Sequence, residues 1–529
     1  MAERLPLILH EDDDLLVVHK PPGWNTHAPD PHAGEGIYDW LRHREPRWAG
    51  LALVHRLDKA TSGVLLFGKS RRANRSLTEQ FTRRRIRKRY RLLTAAEGPR
   101  EACRVRLPLV REGARYRPAP PGAAPAAETR FLPGGREGRW RVVFAEPRTG
   151  RTHQIRAHAA AAGFPVLGDT LYGGAPFARV CLHAERLELY HPATGERMAF
   201  HVPADFRRPP GEALRAAFLD PDRTDAFRLA HGAADGFPGW FVERLGDWLL
   251  AQSEAEPTPE QIAQLAAWRE EWGLRGACHK HRDRRPREQR PETAAPRPLL
   301  GDAPEGPFAA RENGLTWELA FARGCSCGLF LDQRDNRRRL LTRHVAAGFP
   351  PFPPGDWRAL NLFAYTCGFS LAAARGGARV TSVDLSRRYL DWGRRNFARN
   401  GLPADAHEFL VGDAFEWLRR LGRRERRFAV VVLDPPTFST SKRGGRFRAE
   451  KDYGKLVAAA ARVLAPGGFL LASTNAGALR PAAFVALVET ALATAGRRVT
   501  ARHYAPQPPD FPVTRGQPAH LKTLWLAVE

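Results

Sequence analysis

The sequence predicts two different sheets. A strand-rich α+β domain with a mixed antiparallel sheet occupies residues 1–210, and a parallel, doubly wound α/β domain occupies 311–529. A small α/β subdomain with an Arg/Pro-rich loop lies between them at 217–310. Three observations carry this. Short apolar runs cut by turns fill the first two hundred residues, strands and helices alternate evenly after about Leu315, and a Pro- and Arg-rich stretch separates the two regimes. At 529 residues the chain exceeds one ordinary core, so two or three domains are expected.

In chain order, Leu15–His19 reads as a strand stopped by Pro21-Pro22-Gly23, and Gly63–Phe67, Tyr90–Leu93 and Trp140–Phe144 read as further strands. The stretch FRRPPGEALR after Asp205 reads as a linker. Thr258-Pro259-Glu260-Gln261 is a capping box with Pro at the first helical position, predicting a helix to about Glu271. The segment 281–298 reads as an extended, solvated loop. Beyond it, WRALNLF and ARVTSVDLS predict strands, and SLAAARGG and RRYLDWGRRNFARNG predict helices. FAVVVLDPP predicts a buried strand, and LVAAAARVLAPGG a helix ended by Pro-Gly-Gly.

Composition narrows the function. Lys+Arg 83 against Asp+Glu 57 leaves a net charge of +26, a surplus that points to a polyanion, with nucleic acid the default. No stretch approaches the ~20 apolar residues that cross a bilayer. The N-terminus lacks the apolar core of a signal peptide. Six Cys make no disulfide framework, and the one-residue gap between Cys325 and Cys327 is too tight for a zinc knuckle. A reducing cytoplasm is the expected compartment. No metal site is read.

Val54-His55-Arg56-Leu57-Asp58-Lys59 sets one acid among bases, ahead of a strongly basic run over 69–91. Arginine would keep such a carboxylate ionised and able to attack an electrophilic carbon, while the surrounding bases draw in phosphates. Charge context alone favours a structural salt bridge for Asp58. The full set HRLDKATSG, VVHKPPG, GRTHQIRAH and GDTLYGG, in that local sequence and spacing, resembles the RluA-type pseudouridine synthases over residues 7–205. The resemblance implies that Asp58 is the catalytic aspartate, attacking either the uracil ring or the ribose C1′. It further implies that Tyr90 packs on the base, that Arg156 pairs with the aspartate, and that Arg56 fills the gap left by a flipped nucleotide. Lys88, in Lys88-Arg89-Tyr90, is read with Arg56 as RNA-binding. No cofactor is implied for this half, and His55, His153 and His158 are read as structural. The core begins within the first ten residues, so the small RNA-binding module that precedes it in many relatives is expected to be absent.

In the second half, Asn361-Leu362-Phe363-Ala364-Tyr365-Thr366-Cys367-Gly368 follows a predicted strand and opens a helix, and Asp384 ends the next strand. A glycine-containing turn followed by an acid that takes ribose hydroxyls is the plan of a Rossmann-like nucleotide site. G-x-G-x-x-G is missing, which favours a cofactor without phosphate, S-adenosylmethionine (SAM). Tyr365, Thr366, Gly368, Asp384 and Leu385 are the expected cofactor residues, with Asp413 and Ala414 at the adenine. Asp434-Pro435-Pro436-Thr437-Phe438 is a rigid loop that aims Asp434 at cofactor and acceptor and offers Phe438 to stack on a base.

The strings GLFLDQRDNRRRL, NLFAYTCGF, VDLSRRYLDWGRRNFARNGL and DPPTFSTSKR resemble the RlmI/RlmK-type class I methyltransferases of large-subunit rRNA, and TDAFRLAHGAADGFPGWFVERLGDWLL resembles the subdomain preceding them. Coverage is about 217–529. The RlmI-like branch carries a Cys after a late strand for methylation at cytosine C5. Here that stretch, Leu471 to Gly477, has none, and the longer strings look closer to the RlmK-like branch. The resemblance therefore implies guanine N7 first, a guanine N2 amine second and cytosine C5 third. The expected protein is a bifunctional RNA-modifying enzyme acting on large-subunit rRNA, with tRNA the alternative for the synthase half. Its rivals are an RNA assembly factor with one inactive site and a DNA methyltransferase.

Overall fold

The computed structural model describes residues 5–120, 122, 125–282, 295–321, 326–440, 446–514 and 517–529. Most of the Arg/Pro-rich loop, Cys325 and the end of the DPPTFSTSKR string lie outside them. The chain forms two compact units. One comprises 1–28, 35–41 and 50–220, and the other 29–34, 42–49 and 221–529. No described helix is long and apolar enough to cross a membrane.

The first unit is built on one mixed sheet. In spatial order its main strands are Ile8–Glu11, Leu15–Lys20, Ser62–Gly68, Leu182–Tyr190, Arg87–Thr94, Trp140–Pro147, Ala126–Glu137, Cys103–Glu112 and Arg115–Pro118. Neighbours run antiparallel except Ser62–Gly68 beside Leu182–Tyr190, which is parallel. This exception places the first site. Ala184 pairs with Gly63 on one side and Tyr90 on the other, so the loop ahead of Gly63 lies beside Tyr90. Gly63 has φ +121°, and a Cβ there would lie 2.3 Å from the Ala184 carbonyl oxygen. Only glycine permits that approach.

The predicted linker after Asp205 is instead a helix, Pro210–Phe218. Pro209 and Pro210 stand at the N-cap and the first helical position, where Pro is tolerated. Burial of Leu214, Ala217 and Phe218 supplies the packing, with Phe218 against Trp24 and Trp40.

In the second unit, Ala226–His231, Phe241–Leu245, Trp248–Ser253, Gly276–His281 and Arg297–Gly301 form a five-stranded sheet, with the Pro259–Glu271 helix beside the last two strands. The capping box on Thr258 and Gln261 is present as predicted. The larger sheet runs Glu408–Val411, Ala378–Asp384, Trp357–Leu362, Phe428–Leu433 and Leu464–Thr474 in parallel, then Lys522–Val528 antiparallel and Val499–Ala505 at the edge. Strand order reverses between Trp357–Leu362 and Phe428–Leu433, the point where doubly wound sheets open a crevice. One predicted element is corrected here. The LVAAAARVLAPGG helix ends at Ala461, and Pro-Gly-Gly falls inside the next strand. Phe428 pairs with Leu464 but Val430 with Phe469, so residues 465–468 are absorbed as a bulge, where Pro and Gly are accommodated.

Candidate active sites

In the first unit Asp58 lies on the loop between the Ala52–Leu53 and Ser62–Gly68 strands. The loop is held by Thr26, whose hydroxyl donates to the Leu57 carbonyl (2.6 Å) and accepts from the Leu57 N–H (3.1 Å). Beneath it Lys20 is fully buried, and its Nζ donates to the carbonyls of Pro21, Trp24 and Lys59 at 2.9, 2.7 and 3.2 Å. Burial lowers the Lys20 ammonium to about 7, and the charge of Asp58 works against that fall. Lys20 thus ties two loops together next to the carboxylate.

Arg156, on the Gln154–Ala161 helix, is 3.8 Å from Asp58. Its closer partner is Asp169, which accepts from Nε and from one Nη at 2.6 and 2.8 Å, with both side chains buried. The guanidinium also lies 5.0 Å from the Tyr172 ring centre. Asp169 and Tyr172 stand in the GDTLYGG string but were not singled out as site residues. Their signal was the downstream motif itself, which carries no hint of which partner Arg156 prefers. Tyr90 is buried, and its hydroxyl is pushed above its ordinary pKa by burial and then by Asp58, so the ring presents a neutral wall. Arg56 is exposed and Lys88 half-buried, its ammonium lowered by burial. His55 accepts from the Leu66 N–H and His158 contacts Thr129, consistent with structural roles. His153 is the exception, because it feels the Asp58 charge and contacts the Tyr172 hydroxyl at 2.9 Å.

Asp169→Asn removes one charge from a buried pair while keeping its volume. Arg156 then has only Asp58 to neutralise it. The expected outcome is a fall of about 10- to 100-fold in kcat for the pseudouridine formation that the resemblance implies, with lowered Tm, because breaking a buried pair costs about 3–5 kcal/mol. Single-turnover assays with saturating RNA check this. An unchanged kcat removes Asp169 from the site.

In the second unit a cavity of about 420 Å³ opens at the switch point. One wall is the Phe363–Phe369 turn, where Phe363, Tyr365 and Cys367 all take positive φ (59°, 50° and 64°). Three non-glycine residues in this region, each costing about 1–2 kcal/mol, persist only where surrounding structure forces them. Asp384 supplies part of that force. One oxygen accepts from the Tyr365 N–H and the other from the Ser386 N–H, both at 2.8 Å, and burial raises its carboxyl above the ordinary range. Cys367 is wedged against Gly393, where a Cβ would lie 2.4 Å from its Sγ.

The lining also includes Asp332, Gln333, Asp434, Pro435 and Asn475. Asp434 follows the Phe428–Leu433 strand, and burial followed by the charge of Asp332 raises it to about 7, against hydrogen bonds from Ser473 and Gln333. Tyr453 buttresses the strand ends by donating to the carbonyls of Leu433 and Ser473. Among the described lining residues, three are acidic (Asp332, Asp384, Asp434) and one is basic. That one, Arg337, is held by Glu312 through two 2.6 Å bonds. The cavity therefore suits a cation and offers a phosphate no free guanidinium, which fits SAM.

The structure brings Tyr365, Thr366, Gly368, Asp384, Leu385 and Asp434 to this cavity. It does not bring Asp413 or Ala414 to the lining. Asp413 caps the Ala414–Arg423 helix through bonds from Phe415 and Glu416, and Ala414 is buried in the core. Phe438 begins a two-stranded ribbon and is not among the lining residues, whereas Phe330, 50% exposed, is. No described cysteine lines the cavity, and burial pushes the Cys278, Cys327 and Cys367 thiols up to about 11, 12 and 12. Phe330, Asp332 and Gln333 were missed as individual residues, because they precede the sheet and no strand end marks them.

Residues 14–161 match the family model described as RNA pseudouridylate synthase, and residues 227–526 match that described as S-adenosylmethionine-dependent methyltransferase. The ribosomal RNA large subunit methyltransferase I of Klebsiella pneumoniae is 33% identical over 313 residues, covering 59% of this chain and 75% of that protein. Its counterpart in Salmonella arizonae is 32% identical over 303 residues, covering 57% and 72%. A methyltransferase solved in complex with SAH is 28% identical, covering 60% of this chain and 79% of that one, with a TM-score of 0.51.

Proposed function

The chain belongs to the S-adenosylmethionine-dependent methyltransferase family and carries an RNA pseudouridylate synthase domain ahead of it, and from this fusion we propose that it isomerises a uridine and methylates a guanine at N7 in large-subunit rRNA. The observation that carries the synthase half is the Asp58–Arg156–Asp169 array beside Tyr90. Asp58 attacks the target uridine, Tyr90 packs on the base, and Arg156 balances charge beside it. Arg56 and Lys88 meet the RNA. A base must leave its stack to reach either site, at a cost of a few kcal/mol, which aromatic walls and inserted cations offset.

For the methyltransferase half, the carrying observation is a cavity with three carboxylates and no described thiol. SAM, when bound, supplies an electrophilic methyl group. Asp384 and the Tyr365–Gly368 turn hold the cofactor, and Asp434 orients the acceptor. Cytosine C5 needs a thiolate added at C6 first, whereas guanine N7 is already nucleophilic and needs placement. The residues after Leu471 place Thr474, buried and bonded to Ala476, and Asn475, which lines the cavity. That supports nitrogen over carbon. The named relatives are of the methyltransferase I kind, while the quoted strings look closer to the RlmK-like branch, so the acceptor atom rests on the site. The guanine N2 amine is the second reading, favoured by the carboxylates that could accept its hydrogens.

The test uses purified protein, large-subunit RNA from a strain lacking it, and nucleoside mass spectrometry. Pseudouridine is expected without SAM and 7-methylguanosine only with it. 5-Methylcytidine would overturn the acceptor assignment. With Asp434 raised to about 7, its carboxylate is lost as pH falls. The kcat/KM for SAM should therefore drop about tenfold per unit below pH 7, and a flat profile from pH 6 to 8 contradicts a role for the ionised form.

A further inference from the structure

The methyl-transfer cavity contains a carboxylate with no task in the reading above. Asp332 lies in the short 3-10 turn Leu331–Gln333, between the half-exposed ring of Phe330 and the buried Gln333. Its Oδ2 is bonded to His520 Nε2 at 3.0 Å, and His520 comes from a distant part of the chain, just before the Lys522–Val528 strand. Burial opposes ionisation of Asp332, but the His520 hydrogen bond and charge, with Arg228 and Arg337, hold its carboxyl below the ordinary range. Among the described residues nothing bonds Oδ1. A carboxylate fixed at one oxygen and open at the other, on a cavity wall, is an acceptor awaiting donors.

The wall beside it is aromatic. Phe330 meets Tyr365 with ring centres 5.4 Å apart, and Tyr365 meets Tyr389 at 4.6 Å. Phe330, half-exposed and two residues from Asp332 on the same lining, offers a flat base a face to lie on, the arrangement by which flipped bases are read. The bases differ in what they would offer. Guanine presents two adjacent donors, N1–H and the N2 amine. Adenine and cytosine each pair a donor with a ring acceptor that a carboxylate repels, and uracil offers one donor flanked by two carbonyls. An acceptor-only group therefore selects guanine.

We propose that Asp332, positioned by His520, is the specificity-determining residue of the methyltransferase site and accepts hydrogen bonds from the Watson–Crick edge of the target guanine. The inference rests on guanine as the methylated base. It adds the residue that chooses that base, separate from Asp434 at the reacting atom. His520 acts through Asp332 and is a positioning residue.

The experiment uses the full chain, SAM, and a synthetic RNA spanning the mapped target, with guanosine or inosine at that position. Inosine lacks the N2 amine and keeps N7. Wild type should favour guanosine over inosine by about 10- to 100-fold in kcat/KM. Asp332→Asn should lower kcat/KM on guanosine by about 10²-fold and erase the guanosine/inosine preference, while SAM affinity by calorimetry, which loses one of three cavity carboxylates, falls by no more than about fivefold. His520→Ala should fall between the two, with the loss in KM for RNA, and His520→Gln, which keeps a donor, should recover most of it. Three results overturn the proposal. These are a wild-type preference retained by Asp332→Asn, a loss of SAM affinity by Asp332→Asn in proportion to activity, which assigns it to the cofactor site, and a failure of His520→Gln where His520→Ala does not fail. If wild type methylates a different base, nucleoside analysis shows it before any variant is made, and the guanine reading falls with the inference. If wild type makes 7-methylguanosine and Asp332→Asn behaves as wild type, the inference falls alone.

Discussion

Asp58→Ala abolishes pseudouridine formation, by on the order of 10⁴-fold or more, while methylation by the same polypeptide continues at the wild-type rate. Removing a nucleophile leaves no partial route, so the loss should approach that of deleting the site. The substitution is structurally mild. Asp58 keeps 22% of its side-chain surface, and Arg156 retains its two bonds to Asp169, so no buried guanidinium is stranded. Lys20 is the group that feels the change. Asp58 is the charge that supports its ammonium, which burial already brings to about 7. Without Asp58, Lys20 should become neutral at physiological pH, and its two remaining N–H groups can then serve only two of the carbonyls of Pro21, Trp24 and Lys59. The measurement is nucleoside mass spectrometry of RNA treated with each variant, alongside thermal denaturation. Residual pseudouridine above about 1% of wild type would assign Asp58 a supporting role. Loss of both activities with a lowered Tm would mean damage to folding rather than to chemistry.

How far the sequence carries to the site depends on whether a residue is marked by its own neighbours. Asp384 and Asp434 are legible because each follows an apolar run, and a strand's carboxyl end in a doubly wound sheet faces the crevice. Asp413 carries the same mark, yet its carboxylate caps the Ala414–Arg423 helix and stays off the cavity lining. Position after a strand does not distinguish a ligand-facing acid from a capping one. Asp58 and Arg156 stand out in dense local strings. The preference of Arg156 for Asp169 over Asp58 is set by the packing of the Gln154–Ala161 helix against the Asp169 turn, which no spacing encodes. Asp332 shows the limit most clearly, because its significance comes from His520, 188 residues away. The fold erred in the same manner. Pro209 and Pro210 signalled a break, yet burial of Leu214, Ala217 and Phe218 made Pro210–Phe218 a helix. The Ala465–Gly468 turn signal lies inside a strand because the sheet absorbs it as a bulge. In both cases tertiary packing overrode a local cue of the ordinary strength.

Asp434→Asn should separate activity from stability in opposite directions. The amide keeps the shape of the carboxyl and can still meet Ser473 and Gln333, but it removes a charge that burial and Asp332 oppose. A carboxyl whose folded pKa lies above its unfolded value binds its proton more tightly when folded. Ionising it therefore costs stability, a cost that begins above the ordinary carboxylate range, grows towards pH 7 and is full above it. At pH 8 the variant should be more stable than wild type, by about 1–3 kcal/mol, with the gain vanishing near pH 4. Methylation should fall by about 10²- to 10³-fold in kcat, because a preorganised charge at the reacting centre is gone, and pseudouridine formation should be untouched. Such a result, a tighter fold with a dead site, follows from a carboxylate held where its burial is unfavourable, and a structural acid would not show it. Denaturant melts at pH 4, 6 and 8 with parallel methylation assays make the test. A variant that is less stable at pH 8 and still methylates would mean that Asp434 serves the fold, leaving Asp332 and Asp384 to account for the chemistry of the cavity.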